Sequence, residues 1–193
     1  MSNVGRIMLV LAIGASAGCR DPQSAALPQR YELGRTATTA AIAALDIDAA
    51  PDGAGLPQGS GTPSEGAAIY AAKCASCHGA KGEGKPPVYP QLVGRDSADE
   101  GFQFARDGRR VRTIGNYWPY ATSVFDYIRR TMPQMSPGSL TNTEVYALTA
   151  YLLAANDVIP LTTRLDSASL VAVKMPYADR FVRDDRKGSS VVK

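Results

Sequence analysis

The stretch Cys74-Ala75-Ser76-Cys77-His78 constrains this chain more than any other. Two thiols three positions apart can each add across a vinyl group of one haem, and the adjacent imidazole reaches the iron from the same turn of backbone. A chain that does this must wrap its backbone around a large flat macrocycle. Two other uses of a Cys-x-x-Cys pair compete with haem, a redox disulfide of thioredoxin type and half of a zinc site. Zinc needs further Cys or His ligands, and only Cys19 remains, because His78 is the sole histidine in 193 residues. A thioredoxin motif sits at a strand-to-helix junction in a βαβ pattern, and no such pattern surrounds Cys74. The expectation is one covalently bound haem c.

A single histidine excludes bis-His ligation within this chain. Methionine is the usual alternative in electron-transferring c-type haems, and it raises the potential relative to His. Outside the N-terminal segment the candidates are Met132, Met135 and Met175. Met132 is the first choice: it leaves a helical pattern in a Met-Pro step, and the residue before proline is pushed out of helical backbone. Met135, further along the same loop, is second. Met175 or an open site remains behind both.

Helical patterning flanks the motif. Thr62, Pro63 and Glu65 have the spacing of an N-cap, a first helical position and a capping box, and they lead a helix into Cys74. Tyr120 to Thr131 reads as a second helix, with Val124, Tyr127 and Ile128 on one face. A third begins at Thr141, where Glu144 completes another capping box, and ends near Asn156; Val145, Leu148, Tyr151 and Leu152 recur at helical spacing. Thr38 to Leu45 also looks helical. Residues 50–61 are dense in turn formers and predict no regular element, and residues 79–119 predict loops. From Asp157 onward the pattern is mixed and extended.

The N-terminus reads as an export signal. Arg6 precedes the short apolar run Ile7 to Ile13 and the small residues Gly14 to Gly18. Such a run is too short to span a bilayer. Cys19 then follows Ser16-Ala17-Gly18 as in a bacterial lipobox, although Ser16 stands where Leu is usual. Lipidation there would anchor the protein to a membrane surface; ordinary cleavage nearby is the alternative. Export agrees with haem attachment outside the cytoplasm, so the expected location is the periplasm. A balance of 21 basic to 18 acidic residues is too even to argue for nucleic acid. Arg106, Arg109, Arg110 and Arg112 form a basic cluster, either a solvated loop or a docking patch for an acidic partner.

The haem motif, the Met-Pro loop and the capped helix from Leu140 to Leu153 together resemble a class I cytochrome c domain. One branch is closer. Thr113-Ile114-Gly115-Asn116-Tyr117-Trp118-Pro119-Tyr120-Ala121-Thr122, then Phe125 to Arg130, look like the SoxD-type cytochrome subunit of sulfur and sulfite dehydrogenases. Residues Tyr31 to Thr38, Asp46 to Asp48, Pro51 to Gly53 and Met175-Pro176-Tyr177 resemble the same group. The resemblance implies an all-α class I cytochrome c fold with extended N- and C-terminal arms. The expected divisions are a signal at 1–18, an arm or linker at 19–61, a monohaem domain at 62–156 and an extension at 157–193. It also implies a partner, a molybdenum-containing subunit that oxidises sulfite or sulfane sulfur, with electrons passed on to a further cytochrome. The best-known members carry two haem domains, whereas this chain has one Cys-x-x-Cys-His. Tyr117, Trp118 and Tyr120 are expected to pack against haem. A general respiratory carrier and a haem enzyme with an open sixth position are the alternatives; no catalytic residue of the chain's own is expected. The arms are expected either to space the domain from its anchor or to wrap a partner.

Overall fold

The computed structural model describes residues 33–96, 102–104 and 106–182. The signal segment, Cys19 and the charged run 183–187 lie outside the described residues. The chain divides after Thr38 into two units. Of the first, residues 33–38 are described, and all are exposed. The second begins at Thr39 and carries every helix and strand described.

Its helices are α1 (Thr39–Leu45), α2 (Pro63–Lys73), α3 (Ala75–His78), α4 (Ile114–Tyr117), α5 (Ala121–Thr131), α6 (Asn142–Ala155) and α7 (Ser167–Val171), with a 3₁₀ turn at Ala178–Arg180 after them. Among the described residues the only sheet is one antiparallel pair, β1 (Ser60–Gly61) with β2 (Leu165–Asp166), in register Ser60 to Asp166 and Gly61 to Leu165. Apart from that pair the described elements are helical, in keeping with the expected all-α fold. No helix among the described residues is long and apolar enough to cross a membrane.

The two capping boxes form as their spacing predicts. Thr62 donates its N–H to Glu65 Oε2 at 2.7 Å, and Thr62 Oγ1 accepts from Glu65 N–H at 3.3 Å. Thr141 and Glu144 repeat the arrangement at 2.8 and 3.3 Å. Each cap satisfies donors the first turn would leave orphaned, worth about 1 kcal/mol. The end of α2 is then tied to the start of α6, Lys73 Nζ donating to Glu144 Oε1 at 2.6 Å.

Packing of α2 on α6 is set by a glycine. A Cβ on Gly66 would lie 2.0 Å from the Ala147 carbonyl oxygen, so only a hydrogen at this position lets the backbones approach. Beneath the crossing sit Tyr70, Phe125, Val145, Tyr146, Leu148 and Leu153, each at most 1 % exposed. The Phe125 and Tyr146 rings are 4.5 Å apart, a tilted aromatic pair at the centre of the core.

Both ends of the chain depart from expectation. Residues 158–182 do not simply extend: they form β2, α7 and the 3₁₀ turn, and they bring Leu165, Leu170 and Met175 into the core. The turn-rich stretch before Thr62 supplies β1 and the buried Ala49. Limits at 62 and 156 therefore enclose the motif-bearing helices but not the whole packed unit. Residues 46–59 are fastened to this unit's own helices: Asp126 Oδ1 accepts from Ala49 N–H at 2.9 Å, Arg129 Nη1 donates to the Ile47 carbonyl at 2.7 Å, and Tyr146 OH donates to the Pro57 carbonyl at 2.9 Å. A free spacer has no such bonds. α1 has no buried residue.

Gly66→Ala is expected to cost about 1–3 kcal/mol in denaturant unfolding, because overpacking outweighs the roughly 1 kcal/mol gain in helix propensity. Gly108→Ala, where a Cβ meets nothing within 4 Å, should change stability by about 0.5 kcal/mol at most. The Asp126 carboxyl gives a pH test. Burial raises its pKa, but hydrogen bonds from Arg130 and Ala49 outweigh this and hold it below the ordinary carboxylate range. Its stabilising effect is thus complete above the ordinary carboxylate pKa of about 3.9 and is lost as pH falls through the lower folded value. Hydrogen exchange at Ala49 should accelerate on acidification in that window, and Asp126→Asn should remove the dependence.

Candidate haem site

The site is built where α2 ends. Cys74 is the cap shared by α2 and α3, and its N–H donates to the Tyr70 carbonyl at 2.9 Å. The four-residue α3 then carries Cys77 and His78, with His78 N–H donating to the Cys74 carbonyl at 3.0 Å. One turn of backbone therefore presents both sulfurs and the imidazole, as the motif spacing predicts.

The orientation of His78 is fixed from outside the motif. Its Nδ1 lies 2.9 Å from the Pro90 carbonyl oxygen. A carbonyl can only accept, so Nδ1 carries the hydrogen and Nε2 is left as the lone-pair nitrogen, the arrangement seen in metal-ligating histidines. Pro90 is held by a folded loop. Gly84 N–H donates to the His78 carbonyl at 2.7 Å, and Leu92 and Val93 N–H both donate to the Gly82 carbonyl at 2.8 and 3.0 Å. Gly84 has φ +76°, and a Cβ there would lie 2.6 Å from Gln91 N, so this wrap demands glycine. The Tyr89 ring meets the His78 ring edge-on at 6.3 Å.

Tyr70 supports the same turn from beneath. Its hydroxyl donates to the Gly79 carbonyl at 2.9 Å in the core. Burial, aided by the neighbouring Cys74, pushes the Tyr70 hydroxyl far above its ordinary pKa, so it stays a donor. Asn156, at the end of α6, closes the far side of the loop. It accepts from Gly94 N–H at 2.8 Å and donates to the Leu92 and Leu152 carbonyls at 3.2 and 2.8 Å.

The donor set fits haem c. Cys74, Ala75, Leu92, Val93, Trp118 and Met132 belong to the partly buried apolar fringe packed against the core. Burial pushes the Cys74 thiol up to about 11, with Lys73 opposing and Cys77 adding to the shift. Such a thiol is neutral at pH 7, unlike the low-pKa thiolate of a redox-exchange pair.

The remaining predicted residues are dispersed. Met132 caps α5 and belongs to the fringe. Met135 is 91 % exposed, while Met175 is buried in the core at 5 %. Trp118 reaches the fringe and meets Tyr127 edge-on at 5.8 Å. Tyr117 instead joins Phe102, Phe104 and Phe181, with its centroid 4.9 Å from that of Phe104, and Arg112 lies over its ring at 4.7 Å. Tyr120 is 47 % exposed at the start of α5. The basic cluster divides as well. Arg110 turns toward Asp96 at 3.4 Å, in a polar cleft of about 410 Å³ also lined by Arg95, Thr113 and Asn116, whereas Arg106, Arg109 and Arg112 stay exposed. Pro90, Tyr70 and Asn156 were not singled out by sequence. Pro90 acts through a carbonyl that every residue possesses, and Tyr70 and Asn156 act through partners distant in the chain.

Comparison with known proteins bears on the family and the fold. The family described as cytochrome c oxidase, cbb3-type, subunit III matches residues 61–152. The crystal structure of the sulfane dehydrogenase SoxCD from Paracoccus pantotrophus contains a chain 40% identical to this one, with a TM-score of 0.68; the match covers 81% of this chain and 74% of that one. Thiosulfate dehydrogenase from Stutzerimonas stutzeri strain A1501 is 29% identical over 125 residues, 63% of this chain. The chain spans 36% of the length of that curated relative.

Tyr70→Phe should leave the Gly79 carbonyl without its buried partner and cost about 1–3 kcal/mol in equilibrium unfolding.

Proposed function

The chain belongs to the cytochrome c domain family, with the cytochrome of the SoxCD sulfane dehydrogenase among its relatives, and from that premise we propose that it is a monohaem electron carrier serving a sulfur-oxidising dehydrogenase. It accepts electrons one at a time from a molybdenum-containing subunit that oxidises sulfite or sulfane sulfur, and passes them to a downstream cytochrome. The observation that carries this reading is the likeness to the SoxCD chain, which extends well beyond the haem domain itself. The signal-like segment 1–18 supports work in the periplasm, with Cys19 as the lipid anchor.

Haem c, when bound, supplies a one-electron ferric/ferrous couple. The chain's own residues do the rest. Cys74 and Cys77 would hold the group covalently, and His78 would offer Nε2 while Pro90 keeps the proton on Nδ1. Met132 is the proposed opposite ligand: it lies in the apolar fringe, whereas Met135 stands in solvent and Met175 is packed in the core. Trp118 lines the same fringe. Tyr117 and Tyr120 contribute less to haem packing, one engaged with other rings and the other half exposed.

A second reading, a haem enzyme with an open sixth position, draws on the likeness to thiosulfate dehydrogenase. Spectroscopy separates the two. A thioether on ferric haem iron gives a weak long-wavelength charge-transfer band. That band should be present in the wild type, vanish in Met132→Ala and persist in Met135→Ala and Met175→Leu. High-spin features with no band in the wild type would instead support the enzyme reading. Co-purification of a molybdenum-containing dehydrogenase that reduces the wild-type protein tests the partner.

A further inference from the structure

One surface feature is unused by the haem site. Phe102, Phe104, Tyr117, Tyr177 and Phe181 gather from three separate parts of the chain, with ring centroids 4.9 to 6.2 Å apart. All five rings remain only half-buried after packing on one another. Arg106, Arg109, Arg112 and Arg180 around them are exposed. Arg109 is 93 % exposed beside Asp107, and Arg112 lies over Tyr117. Clustered, partly exposed aromatic area of this kind marks an interaction surface, and aromatic rings with arginine are the composition of interface hot spots.

We propose that this aromatic cluster, with Arg106, Arg109 and Arg112 around it, is the docking face for an acidic surface of the protein that reduces this cytochrome. The proposal rests on the electron-transfer reading above. Charge selects the occupant. The described residues of 102–112 and 177–182 carry five basic side chains, all arginine, against two acidic ones. Arginine is weakly hydrated, stacks on rings and pairs bidentately with carboxylates, so it suits a desolvated protein interface better than lysine does. Tyr117 also directly precedes Trp118, which packs against the core. The rings hold the partner and the guanidinia steer it.

Stopped-flow reduction of the full-length holoprotein by the co-purified dehydrogenase, across ionic strength, tests this. Arg106→Gln/Arg109→Gln should lower the second-order rate about tenfold at low salt and flatten its salt dependence, converging with wild type at high salt. Phe181→Ser should leave the on-rate near wild type and raise the off-rate several-fold. Reduction potential should not change in either, and the thermal midpoint should not change in the double arginine variant. An unaltered salt slope in the double variant overturns the proposal, as does a shifted potential. Loss of binding confined to phosphatidylglycerol vesicles also overturns it, in favour of a membrane surface. If the dehydrogenase fails to reduce wild type at any salt concentration, the electron-transfer partner itself is wrong and the docking face falls with it.

Discussion

A missing side chain at Gly66 sets the distance between α2 and α6, and most of the architecture depends on that distance. With the Ala147 carbonyl 2.0 Å from where a Cβ would stand, the two backbones touch directly. Close approach turns Tyr70 into the core and delivers the end of α2, where Cys74 sits, to a fixed place on α6. The Lys73–Glu144 ion pair holds the same junction at its rim. Both groups are partly exposed, so the pair adds little energy of its own. The backbone contact determines position, and the charges only trim it.

From that junction outward the site is a matter of backbone acceptors. His78 is oriented by the Pro90 carbonyl, the turn after it by the bond from Tyr70 to the Gly79 carbonyl, and the loop end by Asn156. None of these involves a charged side chain. An apolar fringe anchored through backbone carbonyls would suit a cofactor that is itself flat and apolar.

How much of this was legible in the sequence depends on range. The Thr62–Glu65 and Thr141–Glu144 boxes, the Met-Pro stop of α5 and the turn that carries the haem motif all depend on neighbours a few positions apart, and each formed where its spacing said. The return of Leu165, Leu170 and Met175 to the core did not show, because a two-residue strand pair and a five-residue helix leave little periodicity to read. The four-residue α4 was hidden among loops for the same reason. Arg110 could not be told from Arg109 in sequence. One pairs in a cleft with Asp96, fourteen positions away, and the other pairs at the surface with Asp107.

The C-terminal half of α5 does two jobs at once. Asp126 and Arg129 grip residues 47 and 49 of the preceding segment, and Met132 caps the same helix three residues later. A residue inserted between Arg129 and Met132 would swing the thioether about 100° around the helix axis while the grip stayed in place. An insertion among the exposed residues 134–139 would merely lengthen a turn-rich loop. Tolerance to length change should therefore be sharply uneven across this short stretch, strict on the helix side of Pro133 and permissive beyond it.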